Sequence, residues 1–173
     1  MTLRRVRLKS SKREPEFYLY IMNITWTCQR FEELSPNDLY AILRLRSEVF
    51  VVEQNCVFLD MDNKDQQSWH ICGWSKEELV AYTRLVPPNV AYKQPSIGRV
   101  VTSPSVRNSG IGRKLMEFSI EKLFSLFGKT DIKIGAQLYL KKFYESLGFK
   151  QEGDMYLEDG IEHIEMIFPI LEN

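Results

Sequence analysis

The chain has 173 residues, of which 44% are hydrophobic and 27% charged, and its 23 basic side chains balance its 23 acidic ones. This length predicts one globular domain, and the apolar fraction is sufficient for a packed core. A neutral chain lacks the basic surface typical of nucleic-acid-binding domains. No apolar run approaches the roughly 18 residues that a membrane-spanning helix needs. We therefore expect a cytoplasmic protein with neither nucleic acid nor membrane as its partner.

Positive charge is concentrated at the N-terminus. Residues 1–14 contain six basic side chains and one acidic one, a net charge of +5. Residues 15–173 contain 17 basic and 22 acidic ones, a net charge of −5. An Arg-rich segment is typical of a targeting peptide, a polyanion-binding arm or a solvated tail, and a natural start at Met22 is a further interpretation. We expect residues 1–21 to form an arm and residues 22–173 to form the domain.

Hydrophobic periodicity predicts ten elements in the order strand, helix, hairpin, strand, helix, strand, helix, hairpin. Strand 97–102 is almost wholly apolar, so we expect it to be buried on both faces. Three cysteines without a C-x-x-C pair exclude a disulfide framework and a zinc ribbon. The elements are strand 23–31, helix 36–50, strands 69–74 and 79–86, strand 97–102, a helix that follows the turn 107–112 and ends at Gly128, strand 131–136, helix 138–147, and strands 150–157 and 161–168.

The turn between strand 97–102 and the following helix is the most informative motif. Gly110 and Gly112 let the backbone approach a ligand closely, and the helix behind them points unpaired N–H groups and its positive dipole end at an anion. Arg107 and Arg113 flank the turn and can add charge-assisted hydrogen bonds. A phosphate or pyrophosphate is the expected ligand, and an ordinary strand-to-helix turn is the alternative.

Other named motifs do not fit. Lys114 is followed by Leu115 and no glycine stands at 108, which excludes a Walker loop, and Leu115 also replaces the third small residue of a Rossmann fingerprint. Asp60, Asp62 and Asp65 faintly resemble a calcium loop, but no glycine stands at its sixth position and no Glu at its twelfth. We expect no bound metal.

A second motif follows downstream of the glycine turn. Residues 137–149 read QLYLKKFYESLGF, and the turn itself reads R-x-x-G-x-G. Together they resemble the GNAT superfamily of acyl-CoA-dependent N-acetyltransferases, and FVVEQNC at 50–56 with EDGIEHIEM at 158–166 is similar to its ElaA-like branch. The resemblance implies an α/β (α+β) fold with a mixed, mainly antiparallel central sheet of about six or seven strands flanked by helices.

The resemblance also implies a site for acetyl-CoA. The main chain of Val100, Val101 and Thr102 would bind the pantetheine arm. Gln137, which stands where the family often has Asn, would contact the cofactor as well. Amides of the turn would bind the pyrophosphate, with Arg113 beside them, and the residues of that turn are Arg107, Asn108, Ser109, Gly110, Ile111 and Gly112.

Tyr144 matches the tyrosine that in this family gives a proton to the departing CoA thiolate. A phenol with a pKa of about 10 is protonated at neutral pH, and a thiolate leaves more easily beside a proton donor. The alternative is a half-buried helix tyrosine that packs one turn after Leu140.

The base that would deprotonate the amine is less evident. Some relatives use a Glu on the strand before the tyrosine helix, but residues 131–134 read DIKI. Glu53 lies in an apolar run, so we expect desolvation to raise the pKa of its carboxyl toward that of a base. The alternative is a helix-end carboxylate that binds backbone or Arg. His70 and His163 are further candidates, each equally compatible with a structural role in a strand.

We therefore expect an acetyl-CoA-dependent N-acetyltransferase that transfers acetyl to a primary amine by direct attack in a ternary complex. A backbone N–H at the end of strand 97–102 would polarise the thioester carbonyl. The acceptor would be a small-molecule or peptide amine, and the sequence does not indicate an oligomeric state. Two alternatives stay open: a non-catalytic module that binds or senses acyl-CoA, and an enzyme that transfers a longer acyl chain.

Overall fold

A computed structural model describes residues 23–170, so the predicted basic arm over 1–21 lies outside the described residues. Three α-helices and seven strands are present in this part of the chain. The helices are α1 (Pro36–Arg46), α2 (Ile111–Phe127) and α3 (Lys141–Glu145). The strands are β1 (Ile24–Arg30), β2 (Trp69–Ser75), β3 (Glu78–Val86), β4 (Ser96–Thr102), β5 (Ile132–Gln137), β6 (Lys150–Glu158) and β7 (Ile161–Phe168).

The seven strands form one sheet in the order β1-β2-β3-β4-β5-β7-β6. Neighbouring strands are antiparallel except β4 and β5, which run parallel. The predicted order of elements and the mixed, mainly antiparallel sheet are both confirmed. Gly128 ends α2 with a φ of +79°, as the sequence predicts.

Helices cover both faces of the sheet. Leu115, Met116 and Leu123 of α2 belong to the larger buried cluster, which also contains the inward-facing side chains of β5. Ile42 and Leu45 of α1 belong to a second cluster on the opposite face. The sheet therefore lies between two apolar layers, and alternate residues of a strand face different layers.

The first helix differs from the predicted helix 36–50. Its start is as expected, because the Ser35 side chain accepts a hydrogen bond from the backbone N–H of Asp38. After Arg46 the chain widens into a π-helical segment, Ser47–Glu53, and the N–H of Gln54 donates to the carbonyl of Val49 at 3.2 Å. Wide turns of this kind are frequent at functional sites, and apolar periodicity does not reveal them.

Strands β4 and β5 start side by side and then separate. Within the described residues Ser96 and Lys133 are their one register pair. In β4, two residues oppose the single residue Thr83 of β3, a bulge at which Arg99 has a φ of +52°. The expectation that strand 97–102 is buried on both faces is wrong: its middle residues are only half-buried, because β5 does not continue alongside them.

Candidate active site

The glycine turn lies where β4 and β5 have separated. Asn108 and Gly110 have left-handed backbones, with φ of +62° and +83°, and Gly110 precedes the first residue of α2. Among residues 23–170, no side chain caps this helix N-terminus. Its first N–H groups and its positive dipole end are therefore available to an anion, as predicted for the turn.

Gly112 is not required by the packing of the protein itself. A Cβ built at this position meets only Cγ2 of Thr102, at 4.0 Å, which is an ordinary contact. Gly110 differs because its positive φ strains any other side chain. The missing side chain at 112 thus opens the surface between the end of β4 and α2, which is what close approach of a phosphate needs.

Arg107 and Glu53 form a two-point ion pair. The guanidinium donates to the two carboxylate oxygens at 2.6 and 2.8 Å, and both side chains are partly exposed. The hydrogen bond from Arg107 lowers the pKa of Glu53 and outweighs the opposing effect of its slight burial. The expectation that the pKa of Glu53 is raised is therefore wrong. Arg107 decides the direction of the shift, and because Arg107 is remote in sequence, the residues around Glu53 do not reveal it.

Arg113 connects the first turn of α2 to the segment that carries Tyr144. Its guanidinium donates to the hydroxyl of Ser146 and, at 3.5 Å, to the carbonyl of the same residue. Ser146 directly follows α3. The glycine turn and the tyrosine helix are thus held together by a charged side chain.

Tyr144 is buried on the side of the sheet that α2 covers, with 4% of its surface exposed. Its ring meets those of Phe143 and Phe149 edge-on, at centroid distances of 5.1 and 5.9 Å. Burial raises the pKa of the phenol above its ordinary value. The hydroxyl is therefore protonated at neutral pH, the state that a proton donor requires.

Gln137 and His163 lie together on the opposite face of the sheet, at the end of β5. The amide of Gln137 donates to the side-chain oxygen of Gln54 at 3.1 Å, and Gln137 is the cross-strand partner of His163. Nδ1 of His163 is 2.9 Å from the carbonyl of Ile161, which can only accept, so Nδ1 carries the proton. Nε2 then keeps its lone pair.

The family model for the acetyltransferase (GNAT) domain matches residues 41–169. The chain belongs to the GNAT family. It is a GNAT-type acyltransferase with the fold that the sequence resemblance implied. The GNAT match covers most of the described structure, from the middle of α1 to the end of β7.

Relatives of this GNAT chain confirm the resemblance to the ElaA-like branch. A UPF0039 protein of Synechocystis sp. is 46% identical over 153 residues, covering 88% of this chain and 99% of that protein. Protein ElaA of Escherichia coli is 39% identical over 151 residues, covering 86% of this chain and 99% of ElaA. Its crystal structure is similar with a TM-score of 0.78 over 83% of this chain and 98% of that one. An acyl-CoA N-acyltransferase from Pseudomonas aeruginosa has a TM-score of 0.80 and 39% identity, with the same two coverages.

His70 lies outside the site of this GNAT enzyme. It is fully buried on β2, which β3 separates from β4. Its Nε2 donates to the carbonyl of Asp65 at 3.0 Å, and its Nδ1 accepts from the hydroxyl of Tyr82 at 2.8 Å. Burial lowers the pKa of the imidazole, so the ring is neutral and both nitrogens are used. The structural interpretation of His70 is the one that the geometry favours.

Two features of the site carry no recognisable signal in the sequence. The hydroxyls of Tyr92 and Tyr156 both approach Gly135, since a Cβ built there would lie 3.2 and 3.0 Å from them. Beside them, Lys133 binds carboxylates of β6 and β7 at 2.9 and 2.7 Å and lies over the Tyr92 ring. These side chains share the face of Gln137 and His163, where the register of β5, β7 and β6 and the loop between β3 and β4 bring them together.

Residues 23–170 contain no group of three or more His, Cys, Asp or Glu side chains arranged to hold a metal ion. The aspartates that faintly resemble a calcium loop in sequence bind arginines. Asp60 contacts Arg46, and Asp62 contacts Arg84. Of the helices in this part of the chain, none is both long and apolar enough to cross a bilayer.

Proposed function

We propose that this GNAT enzyme transfers an acetyl group from acetyl-CoA to a primary amine. One observation carries the proposal: the edge of β4 that β5 leaves unpaired ends at a helix N-terminus that no described side chain caps. A pantetheine arm carries amide groups that can pair with a strand edge, and its pyrophosphate is an anion suited to a helix N-terminus. The order of these two surfaces along the chain matches the order of groups in CoA.

The proposed contacts follow that order. The main chain of Val100, Val101 and Thr102 would bind the pantetheine amides. Amides of the turn 107–112 would bind the pyrophosphate, with added charge from Arg113. Gln137, at the end of β5, would bind near the thioester. The relative from Pseudomonas aeruginosa, an acyl-CoA N-acyltransferase at 39% identity, supports an acyl-CoA as the donor.

The proposed reaction is a direct attack in a ternary complex. The neutral amine forms a bond to the thioester carbonyl carbon, and the carbonyl oxygen becomes an oxyanion that a backbone N–H of β4 stabilises. Collapse of the tetrahedral intermediate breaks the carbon–sulfur bond. Tyr144 then gives its phenolic proton to the CoA thiolate, and the amine proton leaves to a base, so that acetylated amine and CoA are the products.

His163 is the base that the geometry supports best. Its Nε2 is left with a lone pair by the contact to Ile161, and its strand position is opposite Gln137. Glu53 is bound to Arg107 and its pKa is lowered, which weakens it as a base. The proposed function of Glu53 is instead to bind Arg107 until the pyrophosphate of CoA displaces it.

The experiment is an acceptor screen with the full chain at saturating acetyl-CoA. Released CoA is followed with a thiol reagent, and products are identified by mass spectrometry across small amines, amino acids and peptides. Acetylated product with stoichiometric CoA supports the proposal. Tight CoA binding without turnover on any amine would establish the binding module instead. Faster turnover of longer acyl-CoA thioesters in a competition series would replace acetyl as the transferred group.

A further inference from the structure

A buried group of charged side chains connects the loop over 54–68 to the sheet. We call it the Arg–Asp cluster, and its members are Arg46, Asp60, Asp62, Asp65, Arg84 and Arg99. Arg46 is 0% exposed, and Asp60 and Arg84 are 3% exposed each. Charged groups at such depth are costly unless each one is paired and hydrogen-bonded. The proposed reaction uses none of these side chains, so their burial requires another explanation.

Inside the cluster, Arg46 fixes the loop to α1. Its Nε donates to Asp60 at 2.8 Å, and its Nη1 donates to Asp65 at 2.9 Å. Arg84 of β3 binds both carboxylate oxygens of Asp62, at 2.6 and 2.8 Å. These two sets of contacts hold the loop against α1 and β3, and Asp60 retains its other carboxylate oxygen for a second partner.

That second partner is Arg99 of β4. Its Nε donates to Oδ1 of Asp60 at 2.7 Å, and its Nη2 donates to the backbone carbonyl of the same residue at 2.8 Å. The guanidinium also lies over the ring of Phe58, 5.9 Å from its centroid. Two nitrogens of the Arg99 guanidinium are thus bound to one residue, which Arg46 has already fixed, and Nη2 also lies 3.6 Å from a carboxylate oxygen of Asp62.

Arg99 is also the residue at which β4 departs from regular pairing. Its φ of +52° belongs to the left-handed region, which is unfavourable for a side chain of this kind. Strain of that sort persists only where surrounding contacts hold the backbone in place. The next three residues, 100–102, are the strand end proposed to bind the pantetheine arm.

We infer that the Arg99–Asp60 contact is a positioning device that fixes the β4 bulge and so sets the direction of the backbone groups of residues 100–102 toward acyl-CoA. The inference rests on the proposed function for what the strand edge binds. Its structural part, the anchoring of the bulge by a buried aspartate, does not depend on that function. Arg99 acts here through the backbone that follows it and contacts no reacting atom.

The test compares three variants of Arg99 with a matched control. Arg99→Ala removes the anchor and keeps a side chain that resists positive φ, whereas Arg99→Gly removes the anchor but adopts the bulge without strain. Arg99→Lys keeps the charge but cannot bond the carboxylate and the carbonyl as a fork. The control Lys64→Ala removes a cation of the loop over 54–68, one that contacts Asp62 and not β4.

Three measurements are made on each full-length variant: hydrogen exchange of the amides of residues 98–102, CoA affinity by calorimetry, and kcat and KM for acetyl-CoA. We expect Arg99→Ala to exchange faster at 98–102 and to bind CoA about tenfold more weakly, the effect of losing a charged hydrogen bond. Arg99→Lys and Arg99→Gly should show exchange rates and CoA affinities between those of Arg99→Ala and the unaltered chain. The CoA affinity of Lys64→Ala should stay within about twofold of that of the unaltered chain.

A lower Tm with unchanged exchange at 98–102 and unchanged kcat and KM, in every Arg99 variant that folds, would show a purely structural contact and overturn the inference. Equal effects of Lys64→Ala and Arg99→Lys would overturn it as well. If the unaltered chain binds no CoA, the proposed function fails. The exchange data still decide whether Arg99 anchors the bulge, so the two failures are distinguishable.

Discussion

Arg107 binds both carboxylate oxygens of Glu53 across a separation of 54 residues in sequence. Arg107 begins the glycine turn, and Glu53 ends the widened segment after α1. The ion pair thus joins the two elements on either side of the proposed cofactor site. A pyrophosphate and a carboxylate compete for the same guanidinium geometry, so CoA binding is expected to exchange one partner of Arg107 for the other.

Glu53→Gln should therefore tighten CoA binding, because Arg107 no longer has to leave a carboxylate. An exposed ion pair contributes about 0.2–1 kcal/mol, so the gain should not exceed about fivefold. Arg107→Gln should weaken binding. Calorimetric titration with CoA at low and at high salt measures both, and Glu48→Gln, which breaks the exposed pair with Arg44, is the matched control. Weaker binding by Glu53→Gln would contradict partner exchange.

Gly112→Asp should abolish or strongly weaken CoA binding while the protein stays folded. The fold leaves room at this position, so the new carboxylate clashes with and repels the pyrophosphate without disturbing the core. Gly112→Ala serves as the smaller step at the same position and should lose less affinity. Unchanged CoA affinity in Gly112→Asp, with an unchanged Tm, would remove the turn from the cofactor site.

Tyr144→Phe should lower kcat and leave KM for acetyl-CoA nearly unchanged, because the lost hydroxyl acts on the leaving thiolate. General acids contribute about 10²–10⁴-fold to rates, and a loss at the lower end of that range is expected. Steady-state kinetics with the best amine of the screen provide the measurement. Tyr40→Phe, at an exposed position on α1, is the control. An equal kcat in the two variants would show that Tyr144 only packs the core.

His163→Gln should lower kcat and leave KM for acetyl-CoA nearly unchanged, because Gln cannot take up the amine proton. The substitution keeps a polar side chain opposite Gln137. Steady-state rates with one acceptor provide the comparison. An unchanged kcat would indicate that water, and not His163, accepts the proton.

The buried imidazole of His70 should make the fold sensitive to mild acid. Its lowered pKa means that the folded state binds the proton less readily than the unfolded state. The contribution of neutral His70 to the stability of the fold is therefore complete at a pH above the ordinary pKa of about 6.5. It is lost as the pH falls through that pKa and on to the lowered one. His70→Gln keeps a donor and an acceptor but does not titrate, so its Tm should fall less between neutral and mildly acidic pH. An equal fall of Tm with pH in the unaltered chain and in His70→Gln would contradict a lowered pKa for His70.

Local patterns were sufficient for the order of the elements and for the glycine turn, since a strand, two glycines and an amphipathic helix are adjacent in the sequence. The pKa of Glu53 could not be predicted in this way. Its sequence neighbours are apolar and indicate desolvation, whereas the charge that decides the outcome belongs to Arg107 on another element. The same limit applies to Arg99, whose partner Asp60 is 39 residues away.

In the part of the chain that the structure describes, the single register pair between Ser96 and Lys133 divides the sheet into a four-stranded and a three-stranded part. Few backbone hydrogen bonds cross this seam, so the two parts are held together largely by the side chains packed beneath them and by the connecting helices. A ligand that pairs with β4 and contacts β5 would add bonds across the seam. Binding would then raise the cooperativity of unfolding, and the melting transition should become sharper as well as higher.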